Sequence, residues 1–311
     1  MQKVVIARLV GGIGNQLFIY SIARRIAIEN NAELVLDIFS GFTYDIEYKQ
    51  YFHLDRFNTK NAVFVGEGSE YVLSRPKRFI IRLINRLLPF KRRFFITQEG
   101  RNFDSRLLGI KFKYKLYLEG YWQSELYFKS AESIIREELV IIPPEDQKNK
   151  DLSSVIQNCN SVAIHLRYFY NEEAKMSAKG APDLINGHSF LEEYYSQAIL
   201  KIKTVIQDPY FFIFSDKPEF SARFAEKNNI NFTVIDHNTG YKNAYADLWL
   251  MSLCKHFIIA NSTFSWWGAW LSSNREKMVI VPGTFNNKTL DAWSFLGLIP
   301  EGWVVLHLKN N

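Results

Sequence analysis

Only two cysteines, Cys159 and Cys254, occur in the 311 residues, each in an apolar setting. So thin a supply builds no disulfide framework, and it reads as two core thiols in a reducing compartment, the cytoplasm. No apolar run approaches the roughly 18 to 20 residues that a bilayer span requires. The N-terminal stretch MQKVVIARLVGGIGNQ runs into a glycine loop and has no signal-cleavage pattern. The full GxGxxG fingerprint and the GK[ST] of a P-loop are both missing, which leaves a dinucleotide oxidoreductase and a P-loop nucleotidase unsupported. Repeats and low-complexity tracts are absent as well, and a composition that is 47% hydrophobic and 15% aromatic excludes a disordered chain.

Acid is lacking in one place. Arg75, Lys77, Arg78, Arg82, Arg86, Lys91, Arg92 and Arg93 follow one another with no Asp or Glu between them, while the other 30 basic residues stand against 32 acidic ones. The net charge of +6 therefore belongs to this segment, and not to a general polyanion-binding surface. Arg78, Arg82 and Arg86 recur every four residues as a stripe on a helix, with Phe79, Ile80, Leu83, Ile84, Leu87 and Leu88 on the other faces. Two readings follow: a surface helix whose apolar residues cover the core, or a helix drawn to anionic lipid headgroups. Nucleic acid is not expected, because no zinc spacing or RNA-binding signature accompanies the patch.

At this length two domains are expected, 1–145 and 151–311, joined by Pro143-Pro144 and the polar run EDQKNKD. VVIARLV, a glycine turn, a helix from about Asn15 to Asn30 and ELVLDI make a β-turn-α-β opening. LYLEGYWQS reads as a strand, followed by a helix to about Glu138. Beyond the linker, VAIHL, YFFIFS, FTVID, HFIIAN and MVIVP alternate with helical segments. That alternation predicts a doubly wound parallel sheet, which binds ligands at the carboxyl ends of its strands.

The unusual residues fall at those ends. Gly12 and Gly14, in Gly11-Gly12-Ile13-Gly14, let backbone approach a ligand, and Asn15 and Gln16 supply amides suited to sugar hydroxyls. His165 and Arg167 end one strand and point the same way, a cation pair able to hold a diphosphate. Asp216 ends another strand, and Asp247 begins a helical segment where capping is its plain role. Asn261, Ser262, Thr263 and Ser265 sit between a strand and a helix, an arrangement that can cradle phosphate.

GGIGNQLF, HLR, FFIFSD, ADLWLMSLCKHFIIANSTFSWWGAWL and the terminal IPEGW occur in the order and spacing of the α-1,2-fucosyltransferases of glycosyltransferase family 11, which the chain resembles over nearly its whole length. The resemblance implies an α/β fold of the GT-B type, two Rossmann-like domains facing a cleft, the N-terminal one on the acceptor side and the C-terminal one holding GDP. It implies inverting transfer of L-fucose from GDP-β-L-fucose to a sugar hydroxyl such as O2 of a β-galactoside. The acceptor it implies is a glycan, in bacteria often lipid-linked at the inner membrane face. The family pattern is close to HxRRxD; here Arg167 matches the first arginine, while Tyr168 and Tyr170 stand where the second arginine and the acid would be. The proton acceptor is then sought among Glu172, Glu173, Asp183 and His188. A transferase using another nucleotide sugar and a non-catalytic glycan-binding protein are the rival readings.

No DxD triplet occurs anywhere in the chain. Charge on a leaving diphosphate is expected to be met by Arg167 and by helix N-termini, without a metal or other cofactor. Turnover in excess EDTA should therefore match turnover in Mg²⁺ or Mn²⁺. Abolition by EDTA and recovery on adding either cation would overturn the expectation.

Overall fold

The computed structural model describes residues 2–43, 50–167, 184–285, 288–289 and 295–308. The chain divides into two compact units, Met1–Ile142 with Phe295–Pro300, and Pro143–Ser294 with Glu301–Asn311. Residues 295–300, inside the expected C-terminal domain, thus pack with the first unit. Both units are α/β folds on a parallel sheet, the two-domain architecture of a GT-B-type protein.

In the first unit the elements are β1 (Val4–Arg8), α1 (Ile13–Asn30), β2 (Glu33–Asp37), β3 (Ala62–Val65), α2 (Arg75–Arg86), β4 (Phe95–Thr97), β5 (Lys115–Glu119) and α3 (Glu132–Glu138). The strands pair in parallel in the order β3-β2-β1-β5-β4. β1 is a run of apolar residues because both its faces are covered. α1 is buried along almost its whole length and ends at Asn31, whose φ of 48° places it in the left-handed region that stops a helix. Where one helix was expected up to Glu138, two short 3₁₀ turns precede α3. Glu138 then closes α3 on α1, accepting from Arg24 Nη2 at 2.7 Å and from the Tyr20 hydroxyl at 2.7 Å.

The second unit comprises α4 (Gln147–Gln157), β6 (Asn160–Leu166), α5 (Leu184–Val205), β7 (Pro209–Ser215), α6 (Pro218–Lys227), β8 (Phe232–Ile235), α7 (Ala244–Leu253), β9 (His256–Ile258), α8 (Thr263–Leu271), β10 (Val279–Phe285), β11 (Lys288–Thr289) and β12 (Val304–Leu308). The order is β11-β10-β9-β6-β7-β8, with β12 beside β10, and among the described residues only the β10–β11 pair is antiparallel. The polar run expected as linker is in large part helix. Asp146 caps α4 by accepting from the Asn149 backbone N–H at 2.9 Å, so Gln147 to Asp151 form its first turns. Both cysteines are free, Cys254 buried and Cys159 half-buried.

α2 has the reverse of its expected orientation. The carboxyl ends of β1, β2 and β5 carry Arg8, Asp37 and Glu119, and Arg78 and Arg82 of the arginine stripe turn inward to meet them, while Arg86 is exposed. Arg78 is buried and donates to Ser40 Oγ at 2.8 Å. Arg8 donates to the same oxygen at 3.0 Å, and the Ser40 hydroxyl donates to Asp37 Oδ2 at 2.5 Å. Arg8 and Arg82 both pair with Glu119, at 3.1 and 2.5 Å. The apolar residues thought to cover the core face outward, and Leu87 is 87% exposed. Buried charge sets the orientation, because carboxylates at a sheet edge cost far more unpaired than a few exposed leucines do.

Removing Glu119 strands two guanidinium groups. Glu119→Ala should cost about 2 to 4 kcal/mol, somewhat less than breaking a fully buried pair because the Arg82 side chain is 39% exposed. Leu87→Ala should stay within about 0.5 kcal/mol. Urea denaturation of both variants checks this; the opposite ranking would mean that α2 is held by its apolar side chains.

Candidate functional site

Strand order identifies one edge in each unit. In the second unit the chain moves outward from β6 through β7 to β8, then returns to place β9 on the other side of β6. Helices leaving β6 and β9 diverge, and the carboxyl ends of those two strands form the switch point where such sheets bind ligands. His165 and Arg167 come from the β6 end, and Asn261 and Ser262 follow the β9 end.

Ser262 is the N-cap of α8, and its side chain makes no capping bond to the helix. Its carbonyl accepts from Trp266 N–H at 3.0 Å and from the Ser265 hydroxyl at 3.3 Å. Ser265, fully buried, lies 2.9 Å from His165 Nδ1. The imidazole and the hydroxyl share this one hydrogen bond, whose direction follows the ring's tautomer. Burial, reinforced by the Arg167 charge, pushes the His165 pKa down to about 3. The expected cation pair is therefore one cation: Arg167 is charged and His165 is a neutral brace between β6 and α8. Asn261 Oδ1 is buried without a hydrogen-bond partner among the described residues. Thr263, half-buried, opens the helix.

Two tyrosines that sequence reasoning passed over hold this edge together. Tyr195 on α5 donates to His165 O at 2.7 Å and its oxygen accepts from Arg167 N–H at 3.4 Å. Tyr194 spans Ile259 O and Ile280 O at 2.8 and 3.0 Å. Beneath α8, Trp266, Trp267 and Trp270 form a buried cluster joined by Trp303. A Cβ on Gly268 would overlap Met251 of α7, so the missing side chain lets the two helices meet. The aromatic segment supports the edge and does not line it.

The remaining expected residues scatter. β6 and β7 pair Leu166 with Ser215, so Arg167 and the exposed Asp216 are the next residues out on neighbouring strands. Asp247 does not cap α7, whose N-cap is Asn243; it accepts from Asn238 Nδ2 at 2.9 Å. Burial lifts its pKa to about 7, against the pull of that hydrogen bond. Asn238 also bonds Asn149, 89 positions earlier, which bonds Asp146, a polar chain invisible in the sequence because of that separation. Tyr168, Tyr170, Glu172, Glu173 and Asp183 lie outside the described residues, and His188 falls within α5.

In the first unit the switch point lies between β1 and β5, and the glycine loop leaves from it. Gly11 has φ 75°, and Gly12 caps α1 with no side-chain bond. Gly14 is buried in the first turn. Asn15 Oδ1 accepts from Gln123 Nε2 at 2.9 Å. Gln16 is not a hydroxyl-binding residue. It is fully buried, donating to Gly11 O and Tyr51 O and accepting from His53 N–H, so it pins the loop. At the β5 end Trp122 is buried at φ 47°, with an indole N–H that has no partner among the described residues. Such strain in a bulky residue marks a constrained position.

A family model described as Glycosyl transferase family 11 matches residues 5–296. An alpha-1,2-colitosyltransferase of Escherichia coli is 32% identical, across 97% of this chain and 98% of that protein. The O-antigen biosynthesis glycosyltransferase WbnK of the same species is 28% identical, across 92% and 98%. Among solved structures, the alpha-1,6-fucosyltransferase NodZ of Bradyrhizobium, soaked with GDP-fucose, is similar with TM-score 0.48 at 13% identity, across 87% and 93% of the two chains.

His165 gives the second unit a pH signature. Its folded pKa lies below the unfolded value, so its contribution is complete above about pH 6.5 and is lost as pH falls toward 3. Between pH 7 and pH 5 that loss should be about 2 kcal/mol. Denaturation of wild type and His165→Gln at both pH values checks it: the variant should show the shallower dependence, and equal slopes would refute a neutral buried ring.

Proposed function

The chain belongs to glycosyl transferase family 11, and from that premise we propose that it transfers L-fucose from GDP-β-L-fucose to O2 of a β-galactoside, giving an α-1,2-fucoside. The observation that carries this reading is the edge between β6 and β9. There one guanidinium, one unfilled amide oxygen and a helix N-terminus without a side-chain cap share a switch point. The guanidinium and the helix N-terminus suit a diphosphate, and the amide oxygen can accept from a donor on the attached nucleoside or sugar.

In the proposed step the acceptor hydroxyl attacks the anomeric carbon as the bond to the diphosphate breaks, inverting the configuration. Negative charge grows on the leaving phosphate oxygens. Arg167 and the first-turn amides of α8 meet it, and no metal takes part. His165 stays neutral and positions Ser265 and the start of α8. The hydroxyl proton passes to one of Glu172, Glu173, Asp183 and His188. The glycine loop of the first unit, with Asn15, contributes to sugar binding. We place the reaction in the cytoplasm, on an acceptor glycan carried by a lipid.

A second reading has a specific support. The 32% identical relative is named for colitose, so a colitosyl donor is the alternative sugar. Incubation with GDP-fucose or GDP-colitose and a panel of β-galactosides, read as acceptor-dependent GDP release, separates the two. Release with neither donor would remove both and leave a binding protein.

Arg167→Ala should slow turnover by roughly tenfold to a hundredfold, the equivalent of a charge-assisted contact of about 1.5 to 3 kcal/mol. Arg167→Lys should recover little, because an ammonium cannot fork onto two oxygens. Near-wild-type rates in the folded alanine variant would take Arg167 out of the mechanism.

A further inference from the structure

With Arg78 and Arg82 turned inward, α2 presents solvent with a face that a water-exposed helix has no use for. Phe79, Ile80, Leu83, Ile84 and Leu87 are all exposed, Phe79 by 61% and Leu87 by 87%. Their spacing of one, three, one and three residues puts them on one continuous helical face. Lone exposed leucines need no explanation, but five large apolar side chains in a row do.

The exposed charge carried by α2 itself and by the turn after it is of one sign. Arg75 and Lys77 are exposed in the first turn, and Arg86, Lys91 and Arg92 are exposed at and beyond the last. No acid interrupts the segment from Arg75 to Arg93. A groove of about 560 Å³ runs alongside, lined by Phe79, Leu83, Arg86, Arg93 and Glu99, with Arg93 and Glu99 ion-paired at 2.8 Å.

We propose that α2 docks the protein on an anionic membrane, its apolar face lying in the lipid interface and the cations at its two ends meeting headgroups. Two features decide for a bilayer. A helix in the interface needs an apolar face about one side chain deep together with flanking basic residues, and α2 has both. A second copy seated on the same face would bring two such cationic rims together with no carboxylate in the segment to separate them. The ion pairs and hydrogen bonds of Arg78 and Arg82 with the sheet edge supply the last requirement, since they hold the apolar face outward before any lipid is met. Arg78 and Arg82 of the stripe that periodicity singles out are the anchor to the fold, and the apolar residues and cations beside them are the anchor to lipid. The inference is independent of which sugar is transferred.

The test is flotation of the full chain with vesicles of phosphatidylcholine alone or mixed with phosphatidylglycerol. Wild type should float with the mixed vesicles, and less so as salt rises from about 0.1 M to 1 M and the screening length falls from about 10 to 3 Å. Phe79→Ser with Leu87→Ser should weaken the association at least about tenfold. The thermal midpoint should not move, because both side chains are exposed. Lys91→Glu with Arg92→Glu should abolish the preference for the anionic mixture. GDP release toward a soluble acceptor is read separately, so that failure to bind lipid is distinguished from failure of transfer. No flotation with either vesicle, or flotation unchanged in the apolar double variant, would overturn the proposal. So would a dimer in sedimentation that this double variant dissociates.

Discussion

Strands of a parallel sheet all end on the same side, and the residues that end them are forced into one another's company. That constraint organises both units. It gathers Arg8, Asp37 and Glu119 at the edge of the first sheet, and His165, Arg167, Asp216 and Asn261 at the edge of the second. Such a row of polar ends must be hydrated, paired within the protein or filled by a ligand.

The two edges meet the requirement differently. In the first unit β1, β2 and β5 end in a set of charges that is nearly balanced internally once α2 brings Arg78 and Arg82, and Ser40 joins the guanidinium groups to Asp37. That edge is closed by its own helix. In the second unit the edge sets Arg167 beside the exposed Asp216 on the neighbouring strand. His165 gives up its charge to burial, Arg167 keeps its own, and Asn261 has an oxygen to spare. One edge is therefore closed by a helix of its own unit, and the other lies at a switch point of its sheet.

Much of this was legible in the sequence, because strand hydrophobicity and the residues that break it are local properties. VVIAR, ELVLD and PYFFIFS appear as strands within a residue or two of their expected bounds, and the glycine loop and the Asn261–Ser265 turn sit at carboxyl edges as the alternation implied. What escaped depends on partners distant in the chain. Periodicity shows that α2 has an arginine stripe and an apolar stripe, but the choice of inner face is made by Glu119, more than 30 residues away. Gln16 looks like a sugar-binding amide until Tyr51 and His53 claim it. The His165 charge is set by the burial that Ser265 and Phe264 provide a hundred positions later.

Gly268 carries a further implication. Its hydrogen occupies the only room that Met251 leaves, and the same short helix bears Ser265, on which the His165 brace rests. The two positions are thus epistatic. An alanine at 268 beside the present methionine would overlap its Sδ and Cγ, and that buried side chain would have to move to admit it. With a smaller residue already at 251, the same alanine would fill a void. Drift through this pair has a direction: the cavity must come before the methyl group that fills it.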